Sequence, residues 1–193
     1  MRIIAGRFKG RVLRSFPGAA IRPTSDRLRE TLFNILQTDL SGALVWDAFA
    51  GSGALGLEAL SRHAAHVVFT ERDSGALKLL RKNVALFGLD RQCEIIRGDA
   101  LSWGDRSERS FDLIFLDPPY NFERYGDLIR MIGTRGLCRP QGCVIVEHSK
   151  RSAGFATLRE WLPPDRQVRQ GDSVLSFFLG ESLLAAAENL SEN

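Results

Sequence analysis

Residues 44–62 contain the feature that restricts the fold most, a strand, a glycine-rich turn and a helix in direct succession. The apolar stretch LVWDAF predicts the strand, and ALGLEALSR predicts the helix. Four further strands are predicted at HVVFTE, CEIIRGD, FDLIFLD and CVIVEH, and further helices at SGALKLLRKNVALFG and FERYGDLIRMIGTRG. QVRQGDSVLSFFLG adds two strands joined by a Gly-Asp turn, an antiparallel ending. Because alternating strands and helices form parallel sheets covered on both faces, we predict an α/β fold with a mostly parallel seven-stranded sheet.

The first 40 residues predict an N-terminal extension of this domain. Apolar residues alternate loosely with Arg and Lys over residues 2–14, and Gly6 and Gly10 fit turns, so we predict a small β-hairpin. Helical spacing then predicts a helix that ends near Gln37, with residues 24–26 as candidate N-caps. We expect residues 1–40 to belong to the same unit as a domain over residues 41–180. Residues 181–193 are expected to form an acidic, helix-prone tail.

Composition and charge limit the class of protein. With 44% apolar and 25% charged residues the chain matches soluble globular proteins, and no apolar run is long enough to span a membrane. Three cysteines fit neither a disulfide framework nor a zinc site, so we expect a cytoplasmic protein. The first 30 residues carry a charge of +6, and the rest of the chain carries −3. A basic N-terminal segment of this kind favours binding to a polyanion such as nucleic acid. The alternative is a solvated basic face without a partner.

The turn after the first strand reads DAFAGSGALG, and its glycines match the G-x-G-x-x-G pattern of nucleotide-binding loops. Such a loop lets a ligand approach the backbone and directs amide groups at it from a helix N-terminus. Asp47 favours one ligand, because its carboxylate would repel the pyrophosphate of a dinucleotide but attract the sulphonium and α-ammonium of S-adenosylmethionine. The methyl donor is therefore preferred over a dinucleotide, and a turn that binds nothing is the third possibility.

Two more acids end the next two strands. Glu71 closes the second strand, where a carboxylate can accept both ribose hydroxyl protons. Asp99 follows the third strand, where it can bind the adenine amine with the Ala100 amide beside it. We add Arg72, the neighbour of Glu71, to this candidate donor site. Each acid alone could equally be a helix cap or a surface group, but together they fall at successive strand ends, where open α/β sheets bind ligands.

The fourth strand ends in Asp117-Pro118-Pro119-Tyr120, a rigid turn because each proline restricts the residue before it. An exocyclic amine on a nucleic-acid base is a poor nucleophile, since its lone pair is delocalised into the ring. The Asp117 carboxylate and the Pro118 carbonyl can accept its two N–H groups and aim the lone pair at the donor methyl, while Tyr120 stacks on the base. We therefore predict that residues 117–120 are catalytic and need no metal; a purely structural turn is the alternative.

With these residues in view, the chain resembles the RsmD-like 16S ribosomal RNA guanine-N2 methyltransferases of bacteria. The resemblance runs through RIIAGRFKGRVL, RPTSDRLRETLFNIL, DAFAGSGALGLEALSR, VVFTERD, FDLIFLDPPY, VIVEHS and GDSVLSFF. The segment RPTSDRLRETLFN is its most specific part, because many amino-methyltransferases share the glycine loop and DPPY. The resemblance implies a class I S-adenosylmethionine methyltransferase fold, Rossmann-like, with an N-terminal hairpin and helix. It also implies methylation of guanine N2 at position 966 of 16S rRNA, in the small ribosomal subunit or its assembly intermediate.

The resemblance also carries residues over position by position. It implies a donor site lined by residues of the glycine loop, namely Asp47, Phe49, Gly51, Ser52 and Gly53. It implies that residues 22–30 border the active site, with Arg22, Thr24 and Arg27 as candidates for substrate contact. The charge of the N-terminal segment adds Arg7, Lys9 and Arg11 as candidates for RNA contact. An exposed helix face is the alternative for Arg27 and Arg29. The sequence departs from the family pattern at VWDAFAG and in the acidic tail after Gly180. We expect a monomer.

Three other functions stay open. A DNA adenine or cytosine amino-methyltransferase uses similar turns, but it usually needs a larger target-recognition region than this length accommodates. An NAD(P)-dependent oxidoreductase would use the glycine loop and give no role to residues 117–120. A non-catalytic RNA-binding assembly factor could retain the donor fold. The three histidines, His63, His66 and His148, are scattered and indicate neither a metal site nor a general base; a packed or capping role is favoured for His148.

Overall fold

The computed structural model describes the backbone of residues 1–15 and 23–191, and their side chains except those of residues 23–25 and 190–191. Contacts divide the chain into two compact units, Met1–Asp99 and Ala100–Asn193. In this described part of the chain, a helix separates each of the seven strands from the next, except for the last two, which follow each other directly, and this confirms the predicted α/β class. None of the helices in the described residues is long and apolar enough to cross a membrane.

The first unit contains three parallel strands. Its elements are a 3-10 turn (Gly6–Phe8), α1 (Pro23–Ile35), β1 (Leu44–Asp47), α2 (Ala54–Ser61), β2 (His66–Glu71), α3 (Ser74–Phe87) and β3 (Cys93–Arg97). The strands are ordered β3-β2-β1, and β2 is parallel to both of its neighbours. β1 and β2 are almost entirely buried, as expected for apolar strands that are covered on both faces.

The second unit mixes parallel and antiparallel strands. Its elements are α4 (Ala100–Gly104), β4 (Phe111–Leu116), α5 (Tyr125–Thr134), β5 (Cys138–Ser149), α6 (Ala153–Trp161), β6 (Arg166–Gln170), β7 (Ser173–Leu179) and α7 (Gly180–Ser191). β4 and β5 are parallel, and β7 lies antiparallel between β5 and β6. The predicted antiparallel ending is therefore confirmed, with Gly171 in the left-handed region (φ 62°) at its turn.

Three helical features differ from the sequence pattern or add to it. α1 begins at Pro23, so the predicted N-cap residues lie inside its first turn; proline suits the first helical position because an N–H there has no partner. α6 was not predicted, since it buries only Phe155 and Leu158 and its apolar periodicity is sparse. The acidic tail forms α7, whose Leu183 is buried with 2% of its surface exposed.

Residues 1–15, called the basic arm from here on, form the predicted hairpin. Its two sides are joined by a single antiparallel bridge, between Arg2 and Val12. A carboxylate of α2 holds it in place. Glu58 is fully buried and accepts hydrogen bonds from the N–H groups of Ile4 (2.7 Å) and Ala5 (3.0 Å). The arm is thus attached to the helix that starts at the glycine loop.

Candidate functional site

The glycine loop between β1 and α2 needs its three glycines for different reasons. Gly51 and Gly53 have φ angles of 53° and 83°, which other residues rarely adopt. A Cβ at Gly53 would lie 2.4 Å from Leu80 Cδ1, and one at Gly56 would lie 2.3 Å from Phe69 Cε1. A Cβ at Gly51 would meet no atom within 4 Å. Gly53 and Gly56 therefore allow close packing of the loop and α2, whereas Gly51 leaves the backbone open to a ligand.

Asp47 ends β1 as a buried carboxylate with 1% of its surface exposed. Its Oδ2 accepts a hydrogen bond from the Gly56 N–H in the first turn of α2 (3.0 Å). Burial raises the pKa of Asp47 to about 7, the hydrogen bond from Gly56 opposes the shift, and the negative charge of Glu71 adds to it. A positive charge bound beside this carboxylate would offset the cost of ionising it, so the site suits a cationic ligand.

Glu71, at the end of β2, holds the glycine loop in addition to its predicted role toward a ribose. Its Oε2 accepts the Gly51 N–H (2.8 Å), and its Oε1 accepts the Asp73 N–H (2.8 Å). Each carboxylate oxygen can accept more than one hydrogen bond, so these contacts leave capacity for a ligand. Glu71 therefore fixes the conformation of the one loop glycine that lies in open space.

Asn83 of α3 connects the glycine loop to the basic arm, and sequence reasoning did not single it out. The side chain is fully buried. Its Nδ2 donates to the carbonyls of Ser52 (2.9 Å) and Arg14 (3.1 Å), and its Oδ1 accepts the Arg14 N–H (2.9 Å). The one signal in the sequence is an amide at a core position of an amphipathic helix, three residues after Leu80.

The other predicted donor-site residues differ in exposure. Phe49, Ser52 and Asp99 are half-buried, Ala100 is buried, and Arg72 is exposed. The Gly98 N–H donates to the Glu71 carbonyl (3.0 Å), which joins the ends of β3 and β2. Asp47, Glu71 and Asp99 thus follow three neighbouring strands, as the sequence indicated. The roles that we assign to them toward a donor stay predictions.

The turn at residues 117–120 follows β4 in the second unit. Asp117, Pro119 and Tyr120 are exposed, Tyr120 with 75% of its surface, while Pro118 is buried. The Pro119 carbonyl accepts the Phe122 N–H (2.9 Å) and closes the turn. Among the described residues, no hydrogen bond reaches the Pro118 carbonyl. The turn therefore presents an exposed carboxylate, a carbonyl able to accept and an aromatic ring.

Tyr125 lies within electrostatic range of both Asp117 of this turn and Glu147, and sequence reasoning missed Tyr125 and Glu147. Burial raises the pKa of Tyr125 to about 12, a hydrogen bond from Ser152 opposes the shift, and the negative charges of Asp117 and Glu147 add to it. Burial also raises the pKa of Glu147, against a hydrogen bond from the Ser173 hydroxyl. Glu147 near the end of β5 could have been found by the rule that identified Glu71, an acid at the carboxyl end of a strand.

Predicted substrate residues of the basic arm are exposed. Arg7 lies over the Phe8 ring (4.8 Å to the centroid) and donates to Gln92 Oε1. Arg11 lies over the rings of both Phe8 (5.6 Å) and Phe87 (5.5 Å). The arm thus packs on α3, which adds exposed cations that the sequence did not flag, namely Lys78, Arg81 and Lys82. Aromatic stacking occupies only the faces of these guanidinium groups, so their edge N–H groups can bind an anion, apart from the one that Arg7 donates to Gln92.

Of the substrate candidates near α1, Arg22 lies outside the described residues, as does the side chain of Thr24, while Arg27 is exposed. For Arg29 the interpretation as an exposed helix face is wrong, because only 6% of its surface is accessible. It donates to the Arg2 carbonyl (2.6 Å) and to Asp26 (3.3 Å), so it ties α1 to the arm. Within the described residues, no group of three or more His, Cys, Asp or Glu side chains is arranged to hold a metal ion.

Solved structures support the fold. The Escherichia coli protein yhhF superposes with a TM-score of 0.78 at 32% identity, covering 92% of this chain and 96% of that chain. The Thermus thermophilus 16S rRNA N2 G1207 methyltransferase RsmC, solved with AdoMet and guanosine, superposes with a TM-score of 0.68 at 22% identity, covering 85% of this chain and 44% of that chain. The second likeness bears on the fold alone. Together they confirm the predicted class I, Rossmann-like methyltransferase fold.

Sequence comparison identifies the family. A family model described as "Conserved hypothetical protein 95" matches residues 1–179. The ribosomal RNA small subunit methyltransferase D of Haemophilus influenzae is 38% identical over 153 residues, which cover 78% of this chain and 79% of the relative. The chain therefore belongs to the Conserved hypothetical protein 95 family, the family of the RsmD-like methyltransferases.

Proposed function

We propose that this protein is an S-adenosylmethionine-dependent methyltransferase of ribosomal RNA, and that its target is the exocyclic N2 of a guanine in 16S rRNA, at position 966, in the small ribosomal subunit or its assembly intermediate. The turn at residues 117–120 carries the proposal, because its exposed carboxylate, unused carbonyl and exposed ring suit an amine on a flat base. The name of the curated Haemophilus influenzae relative supports the choice of RNA.

The residues of the glycine loop fit the methyl donor. Bound S-adenosylmethionine would supply an electrophilic methyl group on a sulphonium. The buried Asp47 carboxylate would be stabilised by the positive α-ammonium, and the open backbone at Gly51 would receive the donor's carboxylate. Glu71 and Asp99 would accept hydrogen bonds from the ribose hydroxyls and the adenine amine.

Asp117 and Pro118 would prepare the target amine. The carboxylate and the carbonyl accept its two N–H groups, which removes the lone pair from conjugation and fixes its direction. The new N–C bond would form as the methyl–sulphur bond of the donor breaks, with S-adenosylhomocysteine as the leaving group. The nitrogen would become acidic only during this step, so no strong base is needed beforehand, and its proton could then pass to Asp117 or to water. Tyr120 would stack on the base, a contact worth about 1–3 kcal/mol.

The basic arm and α3 would bind the RNA backbone. The two segments together hold eight Lys or Arg and no Asp or Glu. Counterion release on contact with phosphates favours binding of such a surface to RNA and makes the affinity depend on salt. Glu58 and Asn83 fix the arm to α2 and α3, so the surface is formed before RNA binds.

The test is methyl transfer from tritiated S-adenosylmethionine to unmethylated small subunits, free 16S RNA and duplex DNA in parallel. We expect label on the subunits, recovered as N2-methylguanosine after digestion. Label on DNA alone would retain the amine chemistry but contradict the RNA target. Donor binding without transfer to any of the three substrates would favour a non-catalytic assembly factor.

A further inference from the structure

A cavity of about 290 Å³ in the second unit has no role in the function proposed above. It is lined by residues at the end of β5, by α6 and by the β6–β7 hairpin. Among the residues that the structure describes, three cationic side chains line it, those of Lys150, Arg159 and Arg169, and no acidic side chain does. The cavity therefore has the charge expected of a site for an anion.

His148 and Phe155 form a fixed wall of the cavity. Their rings stack with centroids 3.5 Å apart and planes inclined by 11°. His148 Nδ1 lies 2.9 Å from the Ser149 carbonyl, which can only accept, so Nδ1–H donates to it. Its Nε2 lies 2.9 Å from the Ser176 hydroxyl, and Ser176 also accepts from Gln167 Nε2 (2.8 Å). Both ring nitrogens are thus hydrogen-bonded inside the protein, which confirms the packed role favoured for His148.

Arg159 and Arg169 supply most of the positive charge that lines the cavity. Both are exposed, and neither forms an ion pair with an acid of the described residues. Lys150 is partly neutralised, because its Nζ lies 3.4 Å from Asp172 Oδ1. Burial lowers the pKa of His148, and the charges of Arg159 and Arg169 lower it further, so both guanidinium groups act on this wall. Arg159 and Arg169 line the same cavity, and the planar guanidinium group can bind two phosphate oxygens at once.

Tyr125 connects the cavity to the turn at residues 117–120. Its ring makes edge contacts with His148 (6.5 Å between centroids) and with Phe155 (5.7 Å). The charge of Asp117 raises the pKa of its hydroxyl, so Tyr125 lies within electrostatic range of that carboxylate. Tyr125 thus contacts the wall of the cavity and senses the charge of Asp117, one of the residues that we assign to the target amine.

We propose that this cavity binds a phosphate group, and that in the working enzyme this phosphate belongs to the RNA backbone beside the target nucleotide. The choice of RNA as the source rests on the proposed function; inorganic phosphate has the same chemistry and is the other source. Arg159 and Arg169 would hold the phosphate oxygens by charge-assisted hydrogen bonds, and Lys150 would add a point charge. A backbone phosphate held here would fix the register of the RNA relative to Asp117.

The test compares the variant Arg159→Gln/Arg169→Gln with Arg106→Gln/Arg135→Gln, a control that removes two exposed arginines of the same unit. Binding of a 16S RNA fragment spanning position 966 is measured by fluorescence anisotropy at several salt concentrations. We expect the first variant to bind RNA about tenfold more weakly, with a salt slope reduced by about 1, while the control and the donor affinity stay unchanged. Equal RNA affinity in wild type and variant would overturn the proposal.

Inorganic phosphate, titrated into the wild type and both variants by ³¹P NMR, distinguishes the two sources. Phosphate binding that needs the two arginines, without any change in RNA affinity, would overturn the RNA assignment. Circular dichroism checks that each variant is folded. If the double variant Arg159→Gln/Arg169→Gln unfolds, the single variant Arg169→Gln, on the edge strand β6, is used in its place. RNA binding is measured independently of methyl transfer, so the two proposals can fail separately. If the arginine variant loses RNA affinity but the wild type transfers no methyl group, the cavity site is supported and the catalytic function is refuted.

Discussion

Asp47 is the last residue of the apolar strand β1, and Asp117 directly follows the apolar strand β4, yet the two side chains lie in opposite environments. Asp47 is almost completely buried, accepts a hydrogen bond from Gly56, and has its pKa raised to about 7 by burial. Asp117 is exposed in a turn whose Tyr120 is 75% exposed. An enclosed carboxylate suits a small cationic ligand, whereas an open one suits a group carried by a large partner. The same residue type therefore takes its role from its degree of burial.

The two regions also become rigid by different means. Side chains from other elements hold the glycine loop, since Glu71 accepts from Gly51 and Asn83 donates to Ser52. The turn after β4 is stiffened by its own Pro118 and Pro119, whose rings restrict the backbone directly, and by the local hydrogen bond from the Phe122 N–H to the Pro119 carbonyl. The loop thus depends on the folded unit around it, and the turn is fixed largely by its own sequence.

Removing the exposed carboxylate should have the largest effect. We expect Asp117→Ala to lower kcat for methyl transfer about 10²–10³-fold, because the target amine loses one of its two acceptors. Donor affinity, measured by calorimetry, should stay unchanged. Asp127→Ala, which removes another exposed carboxylate of the same unit, serves as the control. Full activity in Asp117→Ala would refute the role of the turn.

The reverse pattern is expected for the buried carboxylate. Asp47→Asn keeps an oxygen for the Gly56 N–H but loses the charge, so we expect donor affinity to fall about 10- to 100-fold. Donor binding to the wild type should weaken below about pH 7, as Asp47 takes up a proton, and binding to the variant should be flat with pH. Calorimetry at pH 5.5, 7 and 8 measures the donor affinity and its pH dependence. Equal donor affinity in wild type and variant would contradict the role of Asp47 in the donor site.

Asp47 should also make the stability of the donor-free protein depend on pH. Its folded pKa of about 7 lies above its ordinary value of 3.8, so the folded state binds the proton more tightly than the unfolded state does. Its contribution to stability is complete below about pH 4 and is lost as the pH rises through 7, by up to about 4 kcal/mol. Urea unfolding should therefore show wild type losing more stability than Asp47→Asn between pH 5.5 and pH 8.

Two glycine variants should separate packing from ligand access within the loop. Gly53→Ala adds a Cβ 2.4 Å from Leu80 at a φ of 83°, so we expect it to destabilise the protein by about 2–4 kcal/mol. Gly51→Ala meets no atom within 4 Å, so it should cost only about 1 kcal/mol of stability but weaken donor binding. Thermal unfolding and donor calorimetry on both variants check this, and equal losses of stability would show that Gly51 also serves packing.

Much of the fold could be predicted because buried parallel strands are continuous apolar runs. β2 agrees with its predicted bounds, and α3 ends where Gly88 adopts the left-handed conformation. The short helices α4 and α6 were missed, since each buries too few residues to give a periodic signal. β5 begins five residues earlier than predicted, through a register irregularity in its pairing with β4 that only the neighbouring strand reveals.

The sequence by itself determined the order of elements and the acids that follow each strand, because both depend on residues adjacent in the chain. Only the tertiary structure decided which polar groups are buried and what they bind. Asn83 reaches Arg14 across 69 residues, and Arg29 is buried against the Arg2 carbonyl rather than exposed on its helix. The pKa of Asp47 likewise depends on the atoms that exclude water from it. Hydrogen bonding and desolvation act through space, so no pattern along the chain encodes them locally.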